Sequence, residues 1–206
     1  MEHKENLSRR KISRVLISVS DKSGIVDLSK GLSENGIEIV STGGTSKAIS
    51  EAGIPVRPVE EVTNFPEMMG GRVKTLHPLI FGGILGRDSD KNQMEEHGIE
   101  NIDMVICNLY PFKSAAEKGV DLSSLIEEID IGGPSLLRAA SKNHSRVSVV
   151  TDPGDYGWIL NEVINGGLTF EQRQQLALKS FRHTAEYDSI IQSVLAQRFG
   201  EEELPS

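Results

Sequence analysis

Val15-Leu16-Ile17-Ser18-Val19-Ser20-Asp21-Lys22-Ser23-Gly24 is the stretch whose reading decides the fold. Its first half is short, apolar and rich in β-branched residues, the composition of a strand, and its second half is a loop of small and polar residues. Directly after it Ile25, Leu28 and Leu32 recur at helical spacing, so the segment reads as strand, loop, helix. Working outward, Asn35-Gly36 marks a helix end and Ile37 to Val40 a second strand, closed by Ser41-Thr42-Gly43-Gly44-Thr45. Thr45 is expected to cap a helix through Ala52, with Gly53 as its terminator, and the prolines keep Pro55 to Val59 extended.

The alternation resumes after a long connection. Asn64 to Gly86 is rich in Gly and Pro and reads as a functional loop, ordered by its Phe, Met, Leu and Ile residues. Asp90 to His97 reads as helix, and Met104 to Leu109 as a strand covered on both faces. Asp121 to Ile129 and Pro134 to Asn143 are helical stretches around Asp130-Ile131-Gly132-Gly133, Val147 to Val150 is a last strand, and Asp152-Pro153 starts a helix. The pattern predicts a doubly wound α/β domain over residues 11–152 whose sheet is mainly parallel. The remainder, 153–200, is expected to be a helical extension packed on it: Thr169-Phe170-Glu171-Gln172 is a capping box, and Leu176, Phe181, Ala185, Ile190 and Leu195 belong to a long helix.

Bulk properties narrow the function. A net charge of −8 over 206 residues argues against sequence-independent binding of DNA or RNA, which needs many Lys and Arg contacts to phosphates. It leaves room for one small phosphate held by local cations and backbone N–H groups. No apolar run approaches the ~20 residues that span a bilayer, and Met1 to Lys11 lacks the apolar stretch of a secretory signal, so the expected location is the cytoplasm, away from membranes. Cys107, the single cysteine, reads as a buried strand residue. His3, His77, His97, His144 and His183 show no metal-ligand spacing, so neither a metal nor a cofactor is expected.

In an open parallel sheet, ligands bind outside the carboxyl ends of the strands. Ser20-Asp21-Lys22 and Thr42-Gly43-Gly44-Thr45 fall there and offer hydroxyls, an ammonium and approachable N–H groups, the ingredients of a phosphate cradle or equally of plain turns. Neither is a Walker loop or a dinucleotide fingerprint. Gly70-Gly71-Arg72-Val73-Lys74-Thr75-Leu76-His77-Pro78, if extended, sends Arg72 and Lys74 to one side; a solvated basic turn is the alternative. Asn108-Leu109-Tyr110-Pro111-Phe112 and Asp130-Ile131-Gly132-Gly133 complete the candidates, with Tyr110 equally a core edge and Asp130 equally a helix cap.

Together with Asn64-Phe65-Pro66-Glu67-Met68 and Leu136-Leu137-Arg138-Ala139-Ala140-Ser141-Lys142-Asn143-His144, these segments occur in an order that resembles the cyclohydrolase domain of the bifunctional AICAR transformylase/IMP cyclohydrolase family. The resemblance implies a methylglyoxal-synthase-like fold and closure of 5-formamidoimidazole-4-carboxamide ribotide to IMP and water. It also implies a homodimer, with the family's transformylase domain absent from this chain. It implies Lys142 as proton donor and acceptor, Asp130 as a contact assisting carboxamide deprotonation, and Lys74 with Tyr110 as oxyanion stabilisers. The 5′-phosphate would lie on Ser20, Lys22, Thr42, Gly43, Gly44 and Thr45, with Arg72 and Thr75 nearby, and Asn108 and Ile131 would meet the base. Asp21, Val73 and Cys107 complete the implied binding set. A lysine at its reference pKa of ~10.4 is a poor base at neutral pH; cationic neighbours such as Lys74 or Arg72, or burial, could lower that of Lys142, and the sequence does not give those distances. Two rivals share the fold: another phosphate-handling enzyme such as methylglyoxal synthase, and a nucleotide-sensing module like that of carbamoyl phosphate synthetase.

Overall fold

The computed structural model describes residues 9–69 and 72–200. Five parallel strands, β1 (Arg14–Val19), β2 (Glu38–Ser41), β3 (Arg57–Pro58), β4 (Met104–Asn108) and β5 (Ser148–Val150), lie in the order β3-β2-β1-β4-β5. The central register pairs Val15 with Met104 and Val19 with Asn108 on one side of β1, and Arg14 with Glu38 on the other. Val15, Leu16 and Ile17 and all five residues of β4 are buried, as expected for strands covered on both faces. Each apolar side chain so buried contributes about 1.5–3 kcal/mol.

The helices between strands are α1 (Ile25–Glu34), α2 (Gly43–Glu51), α3 (Val59–Thr63), α4 (Pro78–Leu85), α5 (Lys91–Glu96), α6 (Phe112–Glu117), α7 (Leu122–Glu127) and α8 (Gly132–Lys142); α9 (Tyr156–Ile164) and α10 (Phe170–Phe199) follow β5. Right-handed crossovers reverse face when the chain reverses direction across the sheet. Thus α1 packs with α2 and α9, whereas α8 packs on β4 and β5 and is flanked by α4 and α10. The reversal lies between β1 and β4, and a crevice opens there at their carboxyl ends.

Three local expectations are corrected. The second helix starts at Gly43, capped by the extended backbone of Thr42, so the glycine pair forms its first turn instead of a loop before it. Strand pairing around the prolines is limited to Arg57–Pro58, and Val59, expected to be extended, already begins α3. The last part of the long connection is helix α4: Pro78 stands in its first turn, and Nδ1 of His77 accepts from the Leu79 amide at 3.2 Å as its cap. His77-Pro78 is therefore a helix start.

The capping box at Thr169 forms as read, with Gln172 N donating to Thr169 Oγ1 and Gln172 Oε1 accepting from Thr169 N. Along α10, Leu176, Ala177, Ser180, Thr184 and Tyr187 make the buried stripe, while Phe181 and Ala185 face outward with Leu178. Among the described residues, no helix is long and apolar enough to cross a membrane.

Candidate active site

A cavity of about 900 Å³ opens at the crevice, lined by the loops after β1, β2 and β4, by residues 72 and 74–76, and by the turn entering α8. Asn108, the last residue of β4, joins two of these walls. Its Oδ1 accepts from the amides of Ser20 (2.7 Å) and Asp21 (2.9 Å), and its Nδ2 donates to the Asp21 carbonyl at 2.9 Å. The side chain thus shapes the loop after β1. Asp21 turns its carboxylate to the amide and hydroxyl of Ser23, which hold it below the usual carboxylate range, and it does not line the cavity.

The second wall is the N-terminus of α2. Thr45 is buried and pins the end of β1, accepting from Val19 N and donating to Val19 O at 3.0 Å; the hydroxyls of Thr42 and Ser18 share a hydrogen bond of 3.0 Å. The amides of Gly43 and Gly44 open the helix, where no intrahelical acceptor exists for them. Two ammonium groups converge on them: a Cβ at Gly43 would stand 3.1 Å from Lys74 Nζ, and one at Gly44 would stand 3.9 Å from Lys22 Nζ. Unpaired helix amides flanked by two lysines form an anion site. Gly43 is left-handed at φ 40°, which costs other residues roughly 1–2 kcal/mol. Gly43→Ala is therefore expected to weaken binding of inorganic phosphate about tenfold with little change in secondary structure, as read by calorimetric titration and circular dichroism.

In the third wall Lys74 lies 2.9 Å from Glu67, and Arg72 forms a two-pronged bond with Glu127. Both cations are held by carboxylates. Met68 and Val73 pair through their backbones, so Val73 shapes the turn and lies outside the cavity lining, whereas buried Thr75 lines it. Gly70 and Gly71 of the basic motif lie outside the described residues.

The fourth wall carries Tyr110, half exposed, together with Ile131 and Asp130. Asp130 Oδ1 accepts from the Gly133 amide at 2.9 Å, and burial raises its pKa against the opposing effect of the Gly133 and Gly132 amides. A Cβ at Gly133 would come within 2.4 Å of Asp130 Oδ2, so glycine is what lets the helix start close on the carboxylate. Cys107 lies beneath this wall, buried and with its thiol pKa pushed far up by burial. It has the character of a core residue and offers no thiolate.

Lys74, Tyr110 and Asp130 are thus brought to one cavity with Ser20, Lys22, Thr42 to Thr45, Arg72, Thr75, Asn108 and Ile131. Lys142 is not. It is exposed at the last residue of α8, ten residues beyond Gly132, which on a helix is a separation of ~15 Å. It meets neither Lys74 nor Arg72 in its own chain. Sequence alone assigned no site role to Glu67, Glu127 or Tyr187; Glu67 lay in a segment of the resemblance, and Tyr187 carried a signal as a polar-tipped aromatic in an apolar stripe that needs a partner for its hydroxyl.

An open parallel sheet with helix amides and two lysines gathered at its reversal point defines an α/β domain of the doubly wound class, its cavity at the carboxyl ends of the strands. Residues 24–135 match the MGS-like domain family and residues 140–206 match the AICARFT/IMPCHase bienzyme family. The chain belongs to the MGS-like domain family.

It is similar to bifunctional purine biosynthesis proteins PurH: 58% identical to that of Oceanobacillus iheyensis over 86% of this chain, and 53% identical to that of Persephonella marina over 92%. It spans 36% and 38%, respectively, of those relatives' lengths. Among solved structures it resembles that titled "Crystal structure of ForH", with a TM-score of 0.81 and 35% identity over 92% of this chain and 100% of the other. The methylglyoxal-synthase-like α/β fold expected from the sequence is the one observed.

Proposed function

We propose that this chain is an IMP cyclohydrolase that closes 5-formamidoimidazole-4-carboxamide ribotide to IMP and water in the cytoplasm. The observation that carries the reading is the placement of Asp130, Lys74 and Tyr110 on the cavity that also holds the anion cradle. The similarity to PurH proteins and to the AICARFT/IMPCHase family supports it.

The phosphate enters at the amides of Gly43 and Gly44, between Lys22 and the hydroxyls of Ser20 and Thr42, and the base extends toward Tyr110, Asp130 and Ile131. The carboxamide nitrogen attacks the formyl carbon while Asp130 accepts its proton. The formyl oxygen gains charge, is stabilised by the Lys74 ammonium and the Tyr110 hydroxyl, and takes up the carboxamide proton that Asp130 accepted. It leaves as water with the proton of the formamido nitrogen as its C–O bond breaks and the ring C=N bond forms. Binding of the anionic ligand draws Lys74 from Glu67 and Arg72 from Glu127. Nucleophile and electrophile belong to one molecule, so holding them in attack geometry supplies up to ~7–11 kcal/mol.

Lys142 takes part only if a second copy of the chain brings it to the cavity, as a homodimer would. The deciding experiment offers the purified chain the formylated ribotide and follows IMP formation by ultraviolet absorbance. Turnover is expected; tight binding without conversion would replace the enzyme with a nucleotide sensor.

A further inference from the structure

The turn that carries Asp130 has no regular structure. It spans Glu128 to Ile131 between α7 and α8, with Ile129 and Asp130 partly buried, and backbone groups shielded from water need partners from elsewhere in the fold. One comes from far along the chain. Tyr187, 7% exposed on the inner stripe of α10, accepts the Asp130 amide proton at its hydroxyl, 2.8 Å away. The same hydroxyl donates toward the Glu128 carbonyl at 3.4 Å. A phenol so placed uses its one proton and one lone pair on the two sides of the turn. Asp130 is then held twice, its backbone by Tyr187 and its carboxylate by the Gly133 amide.

We propose that Tyr187 is a positioning residue that fixes the Asp130 carboxylate in the cavity, making the long helix α10 part of the site without touching substrate. The proposal rests on the cyclohydrolase reading for its catalytic consequence, though not for the contact itself. A phenyl ring in place of the phenol keeps the packing and removes only the hydroxyl, so Tyr187→Phe isolates the effect. Small displacements of a reacting group lower the rate strongly while leaving remote binding contacts intact.

Tyr187→Phe is expected to lower kcat about tenfold, with KM for the ribotide within about twofold of its original value. In an Asp130→Asn background the same change should cost nothing further, because the group that Tyr187 positions no longer acts as a base. A loss of equal size in both backgrounds, or no loss in either, overturns the proposal. Amide hydrogen exchange at Asp130 supplies a readout independent of turnover. Exchange should accelerate at least tenfold in Tyr187→Phe relative to amides in β4. If the unsubstituted protein fails to convert the ribotide, the cyclohydrolase reading falls. The exchange measurement then still decides the contact: unchanged protection overturns the positioning role, and lost protection upholds it.

Discussion

Asp130→Asn is expected to lower kcat about a thousandfold, or about 4 kcal/mol of activation free energy, with KM for the ribotide nearly unchanged. The amide matches the carboxylate in size and can still accept from Gly133 N, so the turn and the α8 start stay in place. What it cannot do is take a proton from the carboxamide nitrogen. The phosphate cradle, at Lys22 and the α2 N-terminus, is on another wall and keeps its affinity. The pH profile tests the same assignment. Burial raises the Asp130 pKa above that of an ordinary carboxylate, and a base acts only when deprotonated. The rate should therefore fall as pH drops through that raised value, and this limb should vanish in Asp130→Asn. Stopped-flow absorbance from pH 4 to 9 reads both effects; a variant with near-normal kcat would remove Asp130 from the chemistry.

If the proposed homodimer delivers Lys142 to the cavity, Lys142→Ala alone should also lose at least a hundredfold in kcat, yet a mixture of Lys142→Ala and Asp130→Asn subunits, refolded together, should recover about a quarter of the original activity. The recovery follows from geometry. Lys142 ends α8, ten residues beyond Gly132 and outside the cavity lining, so in the proposed homodimer it would serve the cavity of the other copy. Random pairing makes about half the dimers mixed, and in each of these one of two cavities receives an intact Asp130 and an intact Lys142. Recovery is read as IMP formed per milligram after refolding. Full activity in Lys142→Ala would dismiss the residue, and an inactive mixture would exclude delivery between copies.

The strand and helix alternation was legible because it is local: β-branched runs, helical spacing and capping residues act over a few positions. Helix α4 escaped that reading because Gly82-Gly83 looks like loop. The glycines are there because a Cβ at Gly83 would meet the Glu100 carbonyl at 2.5 Å, a close approach between segments that no local pattern records. That the loops after β1 and β2 would line one cavity was legible for a related reason, since loops at the carboxyl ends of parallel strands must share one edge of the sheet.

By itself, then, the sequence determined the α/β architecture, the family and the residue types available for an anion and a proton transfer. Only the tertiary structure decided which of them meet. Asn108 clamps Ser20 across 88 positions, and Tyr187 reaches Asp130 across 57, whereas Lys142, twelve positions from Asp130, stands at the other end of a rigid helix. A helix holds its two ends apart, while the sheet's reversal and the packing of α10 join residues remote in sequence. Separation along the chain therefore says little about separation in space once such elements have packed.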